Sequence, residues 1–247
     1  MSKRQSILSL YEKLISRYGP QGWWPILSKA NKKGFDEKGY HPSLYDYPKS
    51  KLERYEIVVG SILTQNTAWK NVEKALLNLF HKKMFSPESV LKCEQKFLAQ
   101  VIRPAGYYNQ KAIKLKHITE WFISNDYIIS KKTERFKRSE YFKEDEVNLL
   151  ISEVRSNLLK VHGVGPETAD SILLYAYHIP TFVVDSYTKR LFQIHKIYTP
   201  TGKNLLDYQK IQKMVHSVFN QKDYVSKVKI FNEFHALIVK EGKNSVN

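Results

Sequence analysis

Apolar residues recur at helical spacing along almost the whole chain, and no stretch alternates long enough to found a sheet. Ile7, Leu10, Tyr11, Leu14 and Ile15 follow the i, i+3, i+4 rule, and the same period marks 52–63, 72–80 and 109–125. Ser86-Pro87-Glu88-Ser89 reads as a helix start with Pro in the first turn, and 97–102 ends at the stop signal Arg103-Pro104-Ala105-Gly106. Further helices are predicted over 147–161, 168–177, 186–194, 206–219 and 228–239. The best strand candidate, 181–184, is too short to pair usefully. The expectation is an all-α protein. Residues 29–50 form a polar connection rich in Gly, Pro, Tyr and Asp. The highly charged segment 128–144 reads as a surface insertion or a charged helix start.

The chain of 247 residues is 42% hydrophobic, enough for a real core in one compact unit or in two small lobes. Forty Lys and Arg against 24 Asp and Glu leave a formal charge of +16. Such a surplus favours polyanions through long-range attraction and counterion release, although a merely lysine-rich surface would carry the same excess. Cys93 is the only cysteine, so neither an intrachain disulfide nor a four-thiolate zinc or iron–sulfur site can be built. The lone thiol, the absence of a membrane-length apolar run and the amphipathic start predict a cytoplasmic protein, nucleoid-associated if prokaryotic, with no membrane partner.

The sharpest local signal is Leu158-Leu159-Lys160-Val161-His162-Gly163-Val164-Gly165-Pro166-Glu167-Thr168-Ala169-Asp170. A helix ends, two glycines turn the chain, and a second helix opens at Pro166. Without Cβ atoms, Gly163 and Gly165 let backbone amides come close to a ligand, and the first amides of the next helix sit at the positive end of its dipole. Such a turn can grip one phosphate without reading its base. The candidate phosphate contacts are Gly163, Val164, Gly165, Glu167 and Thr168. Carbonyls on the other side of the turn could hold a monovalent cation. An ordinary helix–turn–helix corner has the same pattern.

Asp185 closes the apolar run Phe182-Val183-Val184 and opens the next helix. Aspartate is a good helix N-cap there. It is also a carboxylate presented at the end of a buried segment, able to stabilise a cationic transition state or activate water. One position can serve both purposes.

Val161-His162-Gly163-Val164-Gly165-Pro166-Glu167-Thr168-Ala169-Asp170, followed by Val183-Val184-Asp185, resembles the helix-hairpin-helix, Gly/Pro-rich loop and aspartate of the HhH-GPD DNA glycosylase superfamily. Ile62-Leu63-Thr64-Gln65-Asn66-Thr67-Ala68-Trp69 is similar to the helix end that carries a DNA-probing glutamine in endonuclease III relatives. Gly106-Tyr107-Tyr108-Asn109-Gln110-Lys111-Ala112 is similar to their wedge loop. Gly22-Trp23-Trp24-Pro25, with Trp69, resembles the cluster-free 3-methyladenine glycosylases. Two departures narrow the subclass. Glu167 stands where bifunctional relatives carry an imine-forming lysine, and the C-terminal region lacks the four cysteines of an iron–sulfur cluster.

The resemblance implies a two-lobed helical fold with the active site between the lobes. Residues 50–190 would form the central lobe, with the helix-hairpin-helix at 158–175, and 1–49 with 191–247 the other. Asp185 would be catalytic, and Trp23, Trp24, Pro25 and Trp69 would form the base pocket, with at most one of the neighbouring Trp23 and Trp24 touching a base. Tyr45 and Tyr47 are further pocket candidates. Gln65 and Tyr107 would enter the duplex. No cofactor is expected beyond the hairpin cation. The implied partner is double-stranded DNA holding a damaged base, cut by a monomer that flips the base and hydrolyses its N-glycosidic bond, alkylated purines such as 3-methyladenine first. Open alternatives are a glycosylase for deaminated, oxidised or mismatched bases with slow lyase activity through Lys160 or Lys189, and a non-catalytic DNA-binding protein that uses the hairpin only as a clamp.

Overall fold

A computed structural model of the chain describes residues 2–138 and 143–244. Eleven α-helices are described: α1 Lys3–Tyr18, α2 Lys51–Leu63, α3 Trp69–His81, α4 Pro87–Lys92, α5 Gln95–Val101, α6 Tyr108–Arg138, α7 Glu144–Leu159, α8 Pro166–Ser171, α9 Ser186–Ile194, α10 Asn204–Val218 and α11 Tyr224–Asn244. No strand occurs among the described residues, and no described helix is long and apolar enough to cross a membrane.

Helix α2 is the axis of the core. Every residue from Tyr55 to Leu63 is buried, and the helix packs against α3, α6 and the turn that follows α8. Its start is set by a reciprocal capping box between Ser50 and Glu53. Helix α11 is the second axis, packed against α1 and α9. Between α1 and α2 the chain has no long helix, and side chains hold it instead. His41 bonds the carbonyls of Trp24 and Leu44, each at 3.0 Å, and Glu53 pairs with Lys29 at 2.8 Å.

Two expectations need correction, and a third element has a physical account. The 128–144 segment is not an insertion as far as residue 138. It is the end of the 31-residue α6, whose Ile129, Thr133 and Phe136 fall on one buried face at helical spacing. Residues 139–142 lie outside the described part. The 168–177 helix is α only to Ser171 and continues as a π-helical turn over Ile172–Ala176, which carries Tyr175. The 181–184 run is buried but forms no strand, because helix α10 satisfies its backbone. Phe182 N–H donates to His216 Nε2 at 3.0 Å, and Gln212 Nε2 donates to the Phe182 carbonyl at 2.8 Å.

The hairpin is braced from below. Arg155 of α7 makes a bidentate pair with the fully buried Asp170 of α8, at 2.7 and 3.1 Å. Asp170 also accepts from Tyr208 at 2.6 Å and Gln212 at 2.9 Å, both on α10. Four donors compensate the buried charge, and through Asp170 they tie α7, α8 and α10 together.

Candidate active site

The apolar segment 182–184 delivers Asp185 to the first position outside α9. Its Oδ1 caps that helix, accepting from Thr188 N–H at 2.7 Å and from the Thr188 hydroxyl at 2.8 Å. Its Oδ2 is left for other work and stands 3.6 Å from His235 Nε2 on α11. Burial alone would raise this carboxyl. The His235 ring and the Thr188 donors outweigh burial and hold it below the usual carboxylate range, so it stays ionised.

Asp185 lies on a cleft of about 560 Å³ whose wall includes Trp23, Trp24, Pro25, Tyr40, Trp69 and Tyr187. That volume is typical of sites that enclose a small organic group. The tryptophan loop is held there by close backbone crossings. Gly22 has φ +67°, and a Cβ on it would lie 2.3 Å from Pro42 N, so only glycine allows the 39–42 segment to cross. Asn232 of α11 donates to the Trp23 carbonyl at 2.8 Å.

Trp23 and Trp24 both line this wall. Their exposures differ. Trp24 is buried, with its indole against the bare backbone of Gly60 and rings of Trp23, Trp69 and Tyr175 around it. Trp23 and Trp69 are only partly buried and present more surface to the cleft. Trp24 is thus mainly a packing residue whose edge reaches the site. Pro25 is buried behind it. Tyr45 and Tyr47 are not at this cleft: Tyr47 packs on Phe35 and His41, and Tyr45 lines a separate hollow. Tyr40 takes the place proposed for them.

Two further charges border Asp185. The Glu167 carboxyl is raised by burial at the cleft and by the nearby Asp185 charge. Lys243, near the end of α11, is lowered by burial and by Lys240, and Asp185 partly offsets this. Among the described residues Lys243 is the lysine that lines the cleft, and neither Lys160 nor Lys189 does.

The hairpin residues do not all offer themselves to a phosphate. Val164 N–H is used inside the turn, donating to the Val161 carbonyl at 3.1 Å. Thr168 is buried, and its hydroxyl accepts from Gln65 Nε2 at 3.0 Å. Gly163, at φ +83°, makes the turn, and Gly165 has open space where a Cβ would project. Glu167 sends its side chain to the cleft, so only its backbone remains for a phosphate. Gln65 is tied down, donating also to Gly163 O at 2.9 Å and accepting from Lys114 at 2.7 Å. The residue beside it, Asn66, is exposed on the cleft with φ +50°. Tyr107 stands away from the cleft, 68% exposed on a turn with φ +46°, a free aromatic on the surface.

Sequence reasoning did not find His235, Lys243, Tyr40, Tyr187 or Asn66. His235 and Lys243 sit on α11, Tyr187 on α9, Tyr40 in the loop before α2 and Asn66 in the turn after it, and only the tertiary fold brings them to one cleft. No group of three His, Cys, Asp or Glu side chains among the described residues is placed to hold a metal.

A helical core, a glycine hairpin and an aspartate in an aromatic cleft are the architecture of a helix-hairpin-helix DNA glycosylase. The model of the HhH-GPD superfamily of base excision DNA repair proteins matches residues 59–217. A protein of Methanocaldococcus jannaschii, named as a candidate DNA repair glycosylase, is 36% identical over 242 residues, 98% of this chain and 89% of its own. Endonuclease III of Thermotoga maritima is 24% identical over 147 residues, 59% of each chain. Among solved structures, the H. pylori 3-methyladenine DNA glycosylase bound to 1,N6-ethenoadenine aligns over all of both chains, with TM-score 0.65 and 23% identity. An endonuclease III–DNA complex aligns over 95% of this chain and 85% of that one, with TM-score 0.61 and 15% identity. The chain belongs to the HhH-GPD superfamily and is a DNA glycosylase of base excision repair.

Proposed function

We propose that this glycosylase is monofunctional and releases N-alkylated purines, 3-methyladenine first, from double-stranded DNA. The carrying observation is the cleft itself: an ionised Asp185 in a wall of tryptophan and tyrosine rings. An alkylated purine is cationic and its sugar bond is already weak, so the leaving group needs no general acid. Aromatic faces hold such a cation at roughly 0.5–2 kcal/mol per good contact. A second carboxyl, Glu167, lines the same wall. The H. pylori relative, a 3-methyladenine glycosylase by name, supports the same substrate class.

In this reading the positive surface and the hairpin amides hold the backbone, and the damaged nucleotide is turned out of the stack. Trp23, Trp69 and the edge of Trp24 receive the base. Asp185 faces the sugar, stabilises the oxocarbenium-like transition state and assists attack by water. The product is an abasic site in an intact strand. Residues before 50 and after 190 supply Trp23, Tyr40, His235 and Lys243. Residues 50–190 supply Trp69, Glu167 and Asp185, which supports a two-lobed enzyme working as a monomer. The Val161 and Gly163 carbonyls each accept one protein hydrogen bond, which leaves lone pairs that suit a hard monovalent cation.

A second reading has its own support. Asn66, Ser171 and Ser186 also line the cleft and are the directional groups that a neutral base edge requires, so hypoxanthine or uracil is the alternative substrate. A panel of duplexes, each with one lesion, assayed with and without alkali, separates the two. Asp185→Asn keeps a helix cap and should lose excision by about 10³-fold or more, while DNA affinity holds or rises. Near-normal excision by this variant would refute the catalytic assignment.

A further inference from the structure

Capping α9 uses only one oxygen of Asp185, because both Thr188 donors go to Oδ1. Oδ2 faces His235 Nε2 at 3.6 Å. His235 is 4% exposed, with Trp23 edge-on at 5.6 Å and Phe182 beyond. Its other nitrogen, Nδ1, is 2.6 Å from the hydroxyl of Tyr175, which is 1% exposed on the π-helical turn. The phenol proton has no other acceptor among the described residues, so the hydroxyl donates to Nδ1. The ring proton is then on Nε2, the atom that faces Asp185 and has no hydrogen-bond partner of its own. Helix capping and ring packing do not require this tautomer.

We propose that Tyr175 and His235 form a buried relay that aims the free oxygen of Asp185 and keeps this carboxylate ionised, making His235 a positioning residue for base excision. The proposal rests on the reading of Asp185 as the catalytic carboxylate. A fixed N–H does what mobile water would do in an open site, and needs no reorganisation as positive charge develops on the sugar. Tyr175 sets the tautomer by donating to Nδ1, the opposite of the carboxylate or carbonyl that accepts from Nδ1–H behind many working imidazoles. The other charged groups around this pair are Glu167 on α8, Lys243 and Glu233 on α11, and Lys189 on α9 beside Glu167. They remain in place in every variant below, so a change between variants reports the relay.

The test is the single-turnover excision rate against pH, on a methylated duplex or on the lesion duplex that the wild type cuts fastest. His235→Leu should slow excision about tenfold or more at neutral pH and move the acidic limb up by about one unit, because Asp185 loses the donor that favours its charged form. His235→Gln, whose amide N–H replaces Nε2–H, should recover most of the rate and return the limb. Tyr175→Phe should shift the limb in the same direction as His235→Leu. DNA affinity should not change. An unmoved limb in His235→Leu overturns the relay, and so does a rate loss equal at all pH values that glutamine does not recover. If the leucine variant does not fold, an unmoved limb in Tyr175→Phe decides against it. Asp185→Asn separates the two failures: an active asparagine variant refutes the catalytic reading itself, whereas an inactive one beside an unshifted His235→Leu refutes the relay alone.

Discussion

Gln65 donates its side-chain amide to the carbonyl of Gly163 at 2.9 Å, so the end of α2 and the hairpin are joined before any duplex arrives. Lys111 ties down the other side of the α2 end. Its buried ammonium uses all three N–H groups, on the carbonyls of Leu63 and Ala105 and on the Thr67 hydroxyl. The α2 end and the turn before Tyr107 are thereby held in one frame. For Gln65 to fill a gap in DNA it must first release Gly163, Thr168 and Lys114.

Gln65→Ala and Tyr107→Ala are therefore expected to differ. Both should impair excision more in fully paired duplex than in a duplex already weakened by a mismatch, since lost stacking costs a few kcal/mol only where the stack is intact. Gln65→Ala should in addition lower the unfolding free energy by about 1 kcal/mol, read as a lower urea midpoint, because it strips a partner from a buried hydroxyl and a carbonyl. Tyr107→Ala should leave the midpoint unchanged. Equal losses on both duplexes would remove these residues from the DNA-probing role.

The three tryptophans should separate into two behaviours. Trp23→Ala and Trp69→Ala should reduce release of methylated purine by more than they reduce nonspecific DNA binding. Trp24→Ala should instead destabilise the fold by about 3–5 kcal/mol, as expected for a buried ring. Gly60→Val gives the complementary test, because even a Cβ there lies 3.1 Å from Trp24 Nε1. Overpacking of about 1–3 kcal/mol with a slower excision rate is expected. A Gly60→Val enzyme with wild-type rate and stability would show that Trp24 does not depend on this contact.

Strand breakage after excision should need alkali or a separate endonuclease, because Glu167 cannot form an imine. Borohydride should trap little covalent complex. Any amine that is trapped should be Lys243, which lines the cleft, and Lys243→Ala should abolish the adduct. Trapping that survives this substitution would point to a lysine outside the cleft.

Acid should weaken the fold through two buried imidazoles. Burial pushes His216 down to about 4 and His178 down to about 3. Both titrate near 6.5 in an unfolded chain. Between those values the unfolded state binds more protons, so the stability present above about pH 6.5 is lost as the pH falls toward 4. His216 accepts the Phe182 N–H ahead of Asp185, so its protonation also disturbs the segment that delivers the carboxylate. The urea midpoint should fall between pH 7 and pH 5. His216→Gln, which can accept the same bond but does not titrate, should fall less. A variant with the same pH dependence as the wild type would exclude His216 as a source of the acid loss.

Much of this enzyme is legible along the chain because the signals are local. Helical spacing of apolar residues determined the all-α class, and Gly163, Gly165 and Pro166 determined the hairpin, since backbone freedom and a missing N–H act on the residue that carries them. Asp185 as a cap at the end of an apolar run was equally local. What surrounds that carboxylate was decided in three dimensions. His235 and Lys243 lie 50 and more residues along the chain, on a helix whose own sequence shows only a buried face. Tyr40, Tyr45 and Tyr47 lie on the same loop with nothing in the sequence to rank them, yet the loop, held by His41 and Glu53, brings Tyr40 to the site. The 181–184 run looks like a strand until α10 supplies its hydrogen bonds. The physical reason is the same in each case: periodicity tells which face of an element is buried, but tertiary packing alone decides what it is buried against.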